Sequence, residues 1–255
     1  MLVVIYLGDR MTKYGIGGRT SIFFVNIIEG FLTMLFKTSP RQWILPLSIG
    51  LLEIVIMLIL ENAEKRIAVQ RVSIHNIYAD KNYIAYKLNP IGAMPLMFSS
   101  AIFMLPHIIC TMLLYLMPGN STIQWIIKNI VLTEIPGIWA YMGVVCLLTI
   151  SLSFVMLSPG TKAEELMKVG DSILDIYAGR QTKKYLVGNV LSISVFSAIV
   201  MSCCMGLPLF LQFKGYMDPA LVMFPSSLMM LSGLWITLYR EAEVYRNADQ
   251  YRPLL

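Results

Sequence analysis

The sequence predicts an all-α fold, a polytopic bundle of transmembrane helices. Hydrophobic residues make up 57% of its 255 residues and charged residues only 14%, whereas a soluble domain has about 25% charged residues. Asp, Glu, Lys and Arg are absent from four long windows, at 88–127, 135–161, 186–213 and 219–239. Each window reaches the roughly 20 residues that a helix needs to cross the hydrocarbon core of a bilayer. This composition excludes an ordinary water-soluble protein.

Two further apolar windows carry one acid each, Glu29 and Glu53. With them the sequence predicts six spans, at about 20–36, 42–60, 88–117, 135–161, 186–213 and 219–239. A carboxylate at the bilayer centre costs about 2.5–3.5 kcal/mol, so we expect each of these two acids to face a vestibule or a polar neighbour.

The first seven residues are apolar but cover only about a third of a span. They lack the basic n-region and the small-residue cleavage site of a secretory signal. We expect residues 1–7 to be a partial helix, the cytoplasmic end of a span that starts earlier, so that the sequence represents the later part of a longer protein.

Lysine and arginine are distributed unevenly between the segments that connect the spans. The segment before the first span, the connections 61–87 and 162–185, and the C-terminal tail hold sixteen of them, and the alternate connections hold four. Because basic residues concentrate on the cytoplasmic side of membrane proteins, we expect these four segments to be cytoplasmic. Six spans with both ends on the same side agree with this distribution.

Three of the basic segments contain signals for turns and short helices. Gly15–Gly18 predicts a tight turn between helices. Glu61 and Lys65 stand four residues apart, in the favourable order for a helical ion pair, which predicts that the second span extends past the membrane. Thr161 and Glu164 have the spacing of a capping box, and a short helix is therefore predicted from residue 163 to about residue 170.

Two other segments suggest irregular or interfacial structure. Residues 121–130 are amphipathic and are predicted to lie along the outer interface of the membrane. The third span opens with Asn89 and Pro90 and contains Pro95 soon after. Proline removes a backbone donor, and interruptions of this kind are tolerated where they face protein or a cavity. A wet or moving surface and simple packing explain the pattern equally well.

Cysteine and histidine predict neither a metal site nor catalysis. All four cysteines lie in apolar windows, where a free cysteine behaves as a small hydrophobe, and no C-x-x-C spacing occurs. His75 and His107 have no carboxylate or cysteine cluster near them in sequence. No residue set points to a catalytic centre or a cofactor, so we do not expect an enzyme.

Five stretches resemble landmarks of the SecY family of protein-conducting channel subunits, and they occur in family order. Leu7–Gly17 resembles the turn after the fourth helix of the family, Glu61–Val69 the end of the sixth, and Leu88–Ser100 the start of the seventh. Pro159–Leu166 and Gly179–Thr182 resemble the loop after the eighth. The resemblance runs through the tenth helix and leaves out the first three helices and the plug.

The resemblance implies a function and a set of partners. It implies a subunit of a Sec-type channel that moves unfolded polypeptides across the plasma membrane. The implied partners are a SecA-type motor ATPase, a small SecE-like membrane subunit or accessory Sec proteins, the translocating preprotein and the lipid bilayer. Nucleic acid is not an implied direct partner, and no cofactor is implied.

The resemblance also implies three sets of site residues. The apolar pore ring, which resists ions by excluding water, falls on Phe24, Ile28, Met97 and Met230. The lateral gate falls on Asn89, Pro90, Met94, Ser99 and Ser100. The partner-binding surface of the two long connections falls on Lys65, Arg66, Arg71, Arg180, Lys183 and Lys184.

Departures from the family pattern suggest a specialised branch. The ring contains Met and Phe where aliphatic residues are usual, and Tyr177 stands where the family has the arginine of an R-P-G motif. This pattern resembles the accessory SecY of Gram-positive bacteria, which exports serine-rich repeat adhesins with a dedicated SecA. Two alternatives stay open: a non-functional or regulatory remnant of a channel, and a secondary transporter with ion-binding carboxylates near broken helices.

Overall fold

A computed structural model describes residues 2–18, 20–71, 83–116, 121–173, 176 and 179–251. In chain order its elements are α1 Leu2–Tyr14, α2 Thr20–Lys37, α3 Ile44–Asn62, β1 Glu64–Arg71, β2 Tyr83–Lys87, α4 Met94–Leu116, α5 Ser121–Asn129, α6 Ile135–Leu157, α7 Pro159–Val169, β3 Asp171–Ile173, α8 Arg180–Phe213 and α9 Met223–Tyr251. Six helical segments of this part of the chain are long and apolar enough to cross a membrane. The predicted helical bundle and its six spans are therefore confirmed.

Several helix boundaries differ from the sequence prediction. The first helix does not end near residue 7 but continues to Tyr14, and the predicted glycine turn follows it, with Gly17 and Gly18 at positive φ. The third span begins as a helix at Met94, not at residue 88, because Gly92 adopts a left-handed φ of 65° that ends the preceding turn. The segment before α4 is thus a turn and not an interrupted helix.

A small antiparallel sheet replaces the predicted extension of the second span. α3 ends at Asn62, and Lys65 lies in β1, so the predicted helical pair of Glu61 and Lys65 is wrong. β1 pairs with β2 from Glu64↔Lys87 to Ala68↔Tyr83. Its second half pairs with β3 from Val69↔Ile173 to Arg71↔Asp171. The strand order is β2-β1-β3.

The short helix predicted near residue 163 is confirmed, although it starts earlier. α6 ends where Ser158 turns into the left-handed region at φ 34°. α7 then begins at Pro159, whose fixed φ suits the first turn of a helix. The predicted capping box is wrong, because Thr161 already lies inside the helix. Gly170 closes α7 at φ 78°, with its N–H bonded to carbonyls of the last turn, as is common at helix C-termini.

The chain divides into two compact units. The first contains residues up to Leu58 together with residues from Leu207 onward, and the second contains Ile59–Gly206. In the first unit α2 packs on α9. There Phe31 stacks on Phe224 with ring centroids 4.8 Å apart.

In the second unit α4 packs on α6. The sheet, α7 and the first turns of α8 share one apolar core.

Candidate functional site

The second unit carries a compact platform, which we define as β1, β2, α7, β3 and residues 180–193 of α8. Side chains alternate along a strand, so Ile67 and Val69 of β1 turn inward while Arg66 and Ala68 turn outward. The buried core of the platform is apolar and contains Ile67, Val69, Tyr86, Ala163, Leu166, Ile173, Leu186, Val190 and Ile193. The described parts of the two long basic connections therefore form one folded body.

The first turn of α8 presents three cations on the outside of this platform. Arg180, Lys183 and Lys184 are exposed, whereas Thr182 and Leu186 of the same turns are buried. The first turn of α8 contains no acid. Cations at a helix N-terminus oppose the helix dipole, and each such interaction amounts to about 0.3–1 kcal/mol. Helix stability therefore does not explain these residues, which makes them candidates for partner binding.

β1 contributes the other predicted partner-binding residues. Lys65 and Arg66 are exposed, and the Arg66 guanidinium lies 4.7 Å from the centroid of the Tyr83 ring, within the range of a cation–π contact. Arg71 ends the strand opposite Asp171, and its side chain lies outside the described part of the structure. The platform thus brings the predicted residues of both connections onto one body.

Tyr86 is a polar exception within the platform core. Its side chain is 4% exposed, and its hydroxyl has no hydrogen-bond partner among the residues that the structure describes. Burial raises the pKa of the Tyr86 hydroxyl above its ordinary value, because the charged phenolate is disfavoured away from water.

Asn89, a predicted gate residue, fastens the turn between the sheet and α4. It is fully buried, and its Nδ2 donates to the carbonyl oxygen of Gly92 at 3.1 Å and to Oε1 of Glu61 at 3.4 Å. The backbone N–H of Leu88 donates to the carbonyl of Ala63 at 2.9 Å. These bonds tie the end of α3 to the start of α4. Pro90 is half-buried in the same turn.

Ser99, the second inward-facing gate residue, lies in the contact between α4 and α6. Its Oγ donates to the carbonyl of Leu96 at 2.8 Å and lies 3.1 Å from the hydroxyl oxygen of Tyr141. The Phe103 ring packs edge-on against Tyr141 with centroids 5.4 Å apart. The other predicted gate residues of α4, Met94 and Ser100, are exposed. The predicted gate residues of α4 therefore include one that packs between helices, Ser99, and two that are exposed, Met94 and Ser100.

The predicted ring residues are distributed over both units. Phe24 and Ile28 lie on α2 and Met230 lies on α9, in the first unit, whereas Met97 lies on α4, in the second. All four are half-buried. The Phe24 ring centroid is 6.1 Å from that of Trp235 on α9, so Phe24 takes part in the contact between α2 and α9. The ring as a whole stays a prediction.

The two intramembrane acids occupy opposite environments. Glu53 is fully buried on the inward stripe of α3, and neither of its carboxyl oxygens is hydrogen-bonded among the described residues. Glu53 thus has no hydrogen-bonding partner among the described residues, and its expected contact with a vestibule or a polar neighbour stays a prediction. Glu29 is exposed and lines a groove of about 600 Å³ on α2.

The sequence reasoning missed the sheet, although a signal for it exists. β1 contains the β-branched residues Ile67 and Val69, and β2 contains two tyrosines in five residues, both of which favour strands. The contacts of Asn89 with Glu61 and of Ser99 with Tyr141 have no local signal, because their partners lie 28 and 42 residues away. The departure at Tyr177 lies outside the described residues.

Comparison with known proteins finds a matching family and several relatives. A family model described as SecY matches residues 1–239. The accessory Sec system protein translocase subunit SecY2 of Leuconostoc gelidum subsp. gasicomitatum is 26% identical, with 98% of this chain and 62% of the relative covered. The SecY2 of Streptococcus sanguinis is 25% identical, with 99% and 63% covered. The chain thus spans just over three fifths of the length of these relatives.

A solved structure described as "The structure of a protein conducting channel" has the same fold as this chain. Its TM-score is 0.57 at 13% identity, with 94% of this chain and 62% of that chain covered. A second solved structure has a TM-score of 0.56 at 14% identity, with the same coverage of both chains. Its description says that the plug domain of the SecY protein stabilises the closed state of the translocation channel.

Proposed function

Because this chain belongs to the SecY family, we propose that it is a subunit of a channel that moves unfolded polypeptides across the plasma membrane. The observation that carries the proposal is the family match over residues 1–239, which includes five of the six described segments long and apolar enough to span a membrane and most of the sixth. The chain spans about 62% of the length of its relatives, so the activity, substrate and partners of a whole channel are assigned here as proposals.

The platform is the proposed docking site of a SecA-type motor ATPase. Its support is the exposed basic surface that both long connections contribute, including three cations that oppose the dipole of α8. Charges of this kind set the rate and salt dependence of association more than its maximum strength. The excess of lysine and arginine in these segments supports a cytoplasmic platform with both chain ends on the same side.

Within the membrane, the proposed path for the polypeptide passes the predicted ring. Because Phe24 is engaged with Trp235, Met97 and Met230 are the better residues on which to test this assignment. A small SecE-like membrane subunit completes the proposed assembly. The names of the relatives support an accessory Sec system. A serine-rich repeat adhesin as the substrate stays a prediction from the resemblance.

Crosslinking to a stalled preprotein tests the channel assignment. A photoreactive benzoylphenylalanine is placed at Met97 or Met230 of the complete 255-residue chain, in membranes that hold the motor. The preprotein carries a folded C-terminal domain that arrests it during transport. The matched control is Leu105, an exposed apolar residue further along α4.

We expect an ATP-dependent adduct with the preprotein from Met97 and Met230 and none from Leu105. Equal adducts from all three positions would mean that the preprotein passes outside the chain. A chain that binds the motor but gives no adduct from either methionine would be a non-conducting remnant, and the proposal would be wrong.

A further inference from the structure

α2 carries a stripe of polar side chains along a membrane-spanning helix. Asn26, Glu29, Thr33 and Lys37 are spaced three or four residues apart, and residues at this spacing lie on one face of a helix. All four are exposed. We call this set the polar stripe. A transmembrane helix whose polar residues share one face is amphipathic, and the environment of that face needs an explanation.

The apolar side of α2 is the side that packs on α9. Phe24 lies against Trp235 and Phe31 stacks on Phe224. With about 100° per residue, Thr33 lies roughly 180° from Phe24 around the helix. The polar stripe therefore faces away from α9.

The polar stripe lines an open groove of about 600 Å³ together with Gly30, Met34 and Ala220. A Cβ atom at Gly30 would meet nothing within 4 Å, so the groove is open beside Glu29. The Thr33 hydroxyl donates to the carbonyl of Glu29, one turn back in the same helix, at 2.8 Å. Within the described part of the chain, no other residue forms a hydrogen bond or an ion pair with the side chain of Asn26, Glu29 or Lys37.

Contact of this face with hydrocarbon would be costly. Lys37 ends the helix and can extend its ammonium group towards the interface, but Glu29 lies in the middle of α2. A carboxylate at that depth costs about 2.5–3.5 kcal/mol on insertion scales. Water in the groove removes this cost, and the neighbouring amide and hydroxyl are groups that water solvates well.

We propose that the polar stripe lines a water-filled cleft, open at the Lys37 end of α2, in which the Glu29 carboxylate attracts cationic groups. The polar stripe lies on the side of α2 opposite Phe24, away from the predicted ring, so the cations it would meet are those that enter from the surrounding solution. The direction of opening rests on the proposed sidedness, because the connection after Lys37 is one of the segments poor in basic residues. The wet face itself does not require polypeptide transport.

Cysteine accessibility tests the wet face. The four native cysteines, all free, are first replaced by alanine in the complete chain. Single cysteines are then placed at Asn26 or Thr33, and, as controls about 80–120° away around α2, at Val25 or Leu32. These controls are exposed apolar residues that differ from the polar stripe only in their direction around the helix. Intact cells receive membrane-impermeant methanethiosulfonates of either charge, and only variants as abundant as the parent are scored.

We expect the cysteines of the polar stripe to react at least about tenfold faster than the controls. A second comparison tests the charge. Coulomb's law in water, over the distance of one helical turn, gives about a tenfold difference between a reagent of charge +1 and one of charge −1. The ratio of cationic to anionic labelling at Thr33→Cys should therefore fall about tenfold when Glu29→Gln is added.

Two results would overturn the inference. If the polar stripe reacts as slowly as Val25→Cys and Leu32→Cys, the face is covered by protein or lipid and is not wet. If Glu29→Gln leaves the labelling ratio unchanged, the carboxylate does not attract cations. Neither measurement requires a motor or a preprotein. A negative labelling result would therefore not affect the crosslinking test at Met97 and Met230, and a negative crosslinking result would not affect the labelling test.

Discussion

Replacing Ser99 by alanine should weaken the contact between α4 and α6, whereas the same change at the neighbouring Ser100 should not. Ser99 is buried and lies 3.1 Å from the Tyr141 hydroxyl oxygen. Ser100 is exposed, and its Oγ reaches only the carbonyl of Met97 in its own helix, at 3.4 Å. The two serines are adjacent in sequence, so each is a matched control for the other.

The structure predicts unequal effects for the two partners of this hydrogen bond. Ser99→Ala leaves the buried Tyr141 hydroxyl without its partner, and an unsatisfied buried group costs about 1–3 kcal/mol. Tyr141→Phe leaves Ser99 bonded to the carbonyl of Leu96, so its cost should stay below about 1 kcal/mol. Hydrogen bonds between membrane helices have coupling energies of about 0.6 kcal/mol, which is the coupling expected from the double mutant. Ser100→Ala should change stability by less than about 0.5 kcal/mol.

The assay is reversible unfolding in mixed micelles with increasing sodium dodecyl sulfate, followed by circular dichroism. The four variants needed are the two single changes, the double change and Ser100→Ala. Strict additivity of Ser99→Ala and Tyr141→Phe would refute the interhelical hydrogen bond. Equal loss from Ser99→Ala and Ser100→Ala would refute the assignment of Ser99 to the contact between α4 and α6.

Three further predictions concern the second unit. Gly137→Ala should destabilise the protein by about 2 kcal/mol or more, because the new Cβ would overlap the carbonyl oxygen of Val131. Gly143→Ala should not destabilise it, because no atom lies within 4 Å of the position of its Cβ. Thermal unfolding in detergent compares the two variants. Tyr86→Phe should leave stability unchanged or raise it, because it removes a buried hydroxyl that has no partner among the described residues. It should also reduce the loss of stability above about pH 10, where the unfolded tyrosine ionises before the folded one, whose pKa is raised; unfolding at pH 8 and pH 11 measures both effects. Replacing five platform cations by glutamine should weaken binding of a SecA-type motor and flatten the salt dependence of that binding. Binding that is unchanged across a salt series would mean that these residues only anchor the topology. The five cations are Lys65, Arg66, Arg180, Lys183 and Lys184.

The membrane helices could be predicted because their signal is local and strong. A window such as 186–213 contains no charge over 28 residues, and few structures other than a spanning helix accommodate it. Even there the limits of the helix did not follow from hydropathy, since α8 starts at Arg180 in polar sequence. Its buried positions Thr182, Leu186 and Val190 show that packing against the platform, and not lipid, sets this end of the helix.

The sheet and the polar contacts were harder to predict because their signals are shared between distant segments. β1 contains four charged residues in eight, and the Glu61–Lys65 spacing favours a helix as readily as the β-branched Ile67 and Val69 favour a strand. The competition is decided by pairing with Tyr83–Lys87 and Asp171–Ile173, which no local pattern reveals. The role of Asn89 likewise depends on Glu61, 28 residues earlier.

α8 has a mechanical consequence that follows from its continuity. Leu186, Val190 and Ile193 of its first turns belong to the core of the platform. The same helix continues past the buried Ala198 and Met201 and is unbroken as far as the end of the second unit. The 27 residues from Arg180 to Gly206 form a rod about 40 Å long. A stiff rod of that length acts as a lever: tilting its basic end by about 10° moves the far end by about 7 Å. A small tilt imposed at Arg180, Lys183 and Lys184 is therefore converted into a larger displacement inside the bilayer.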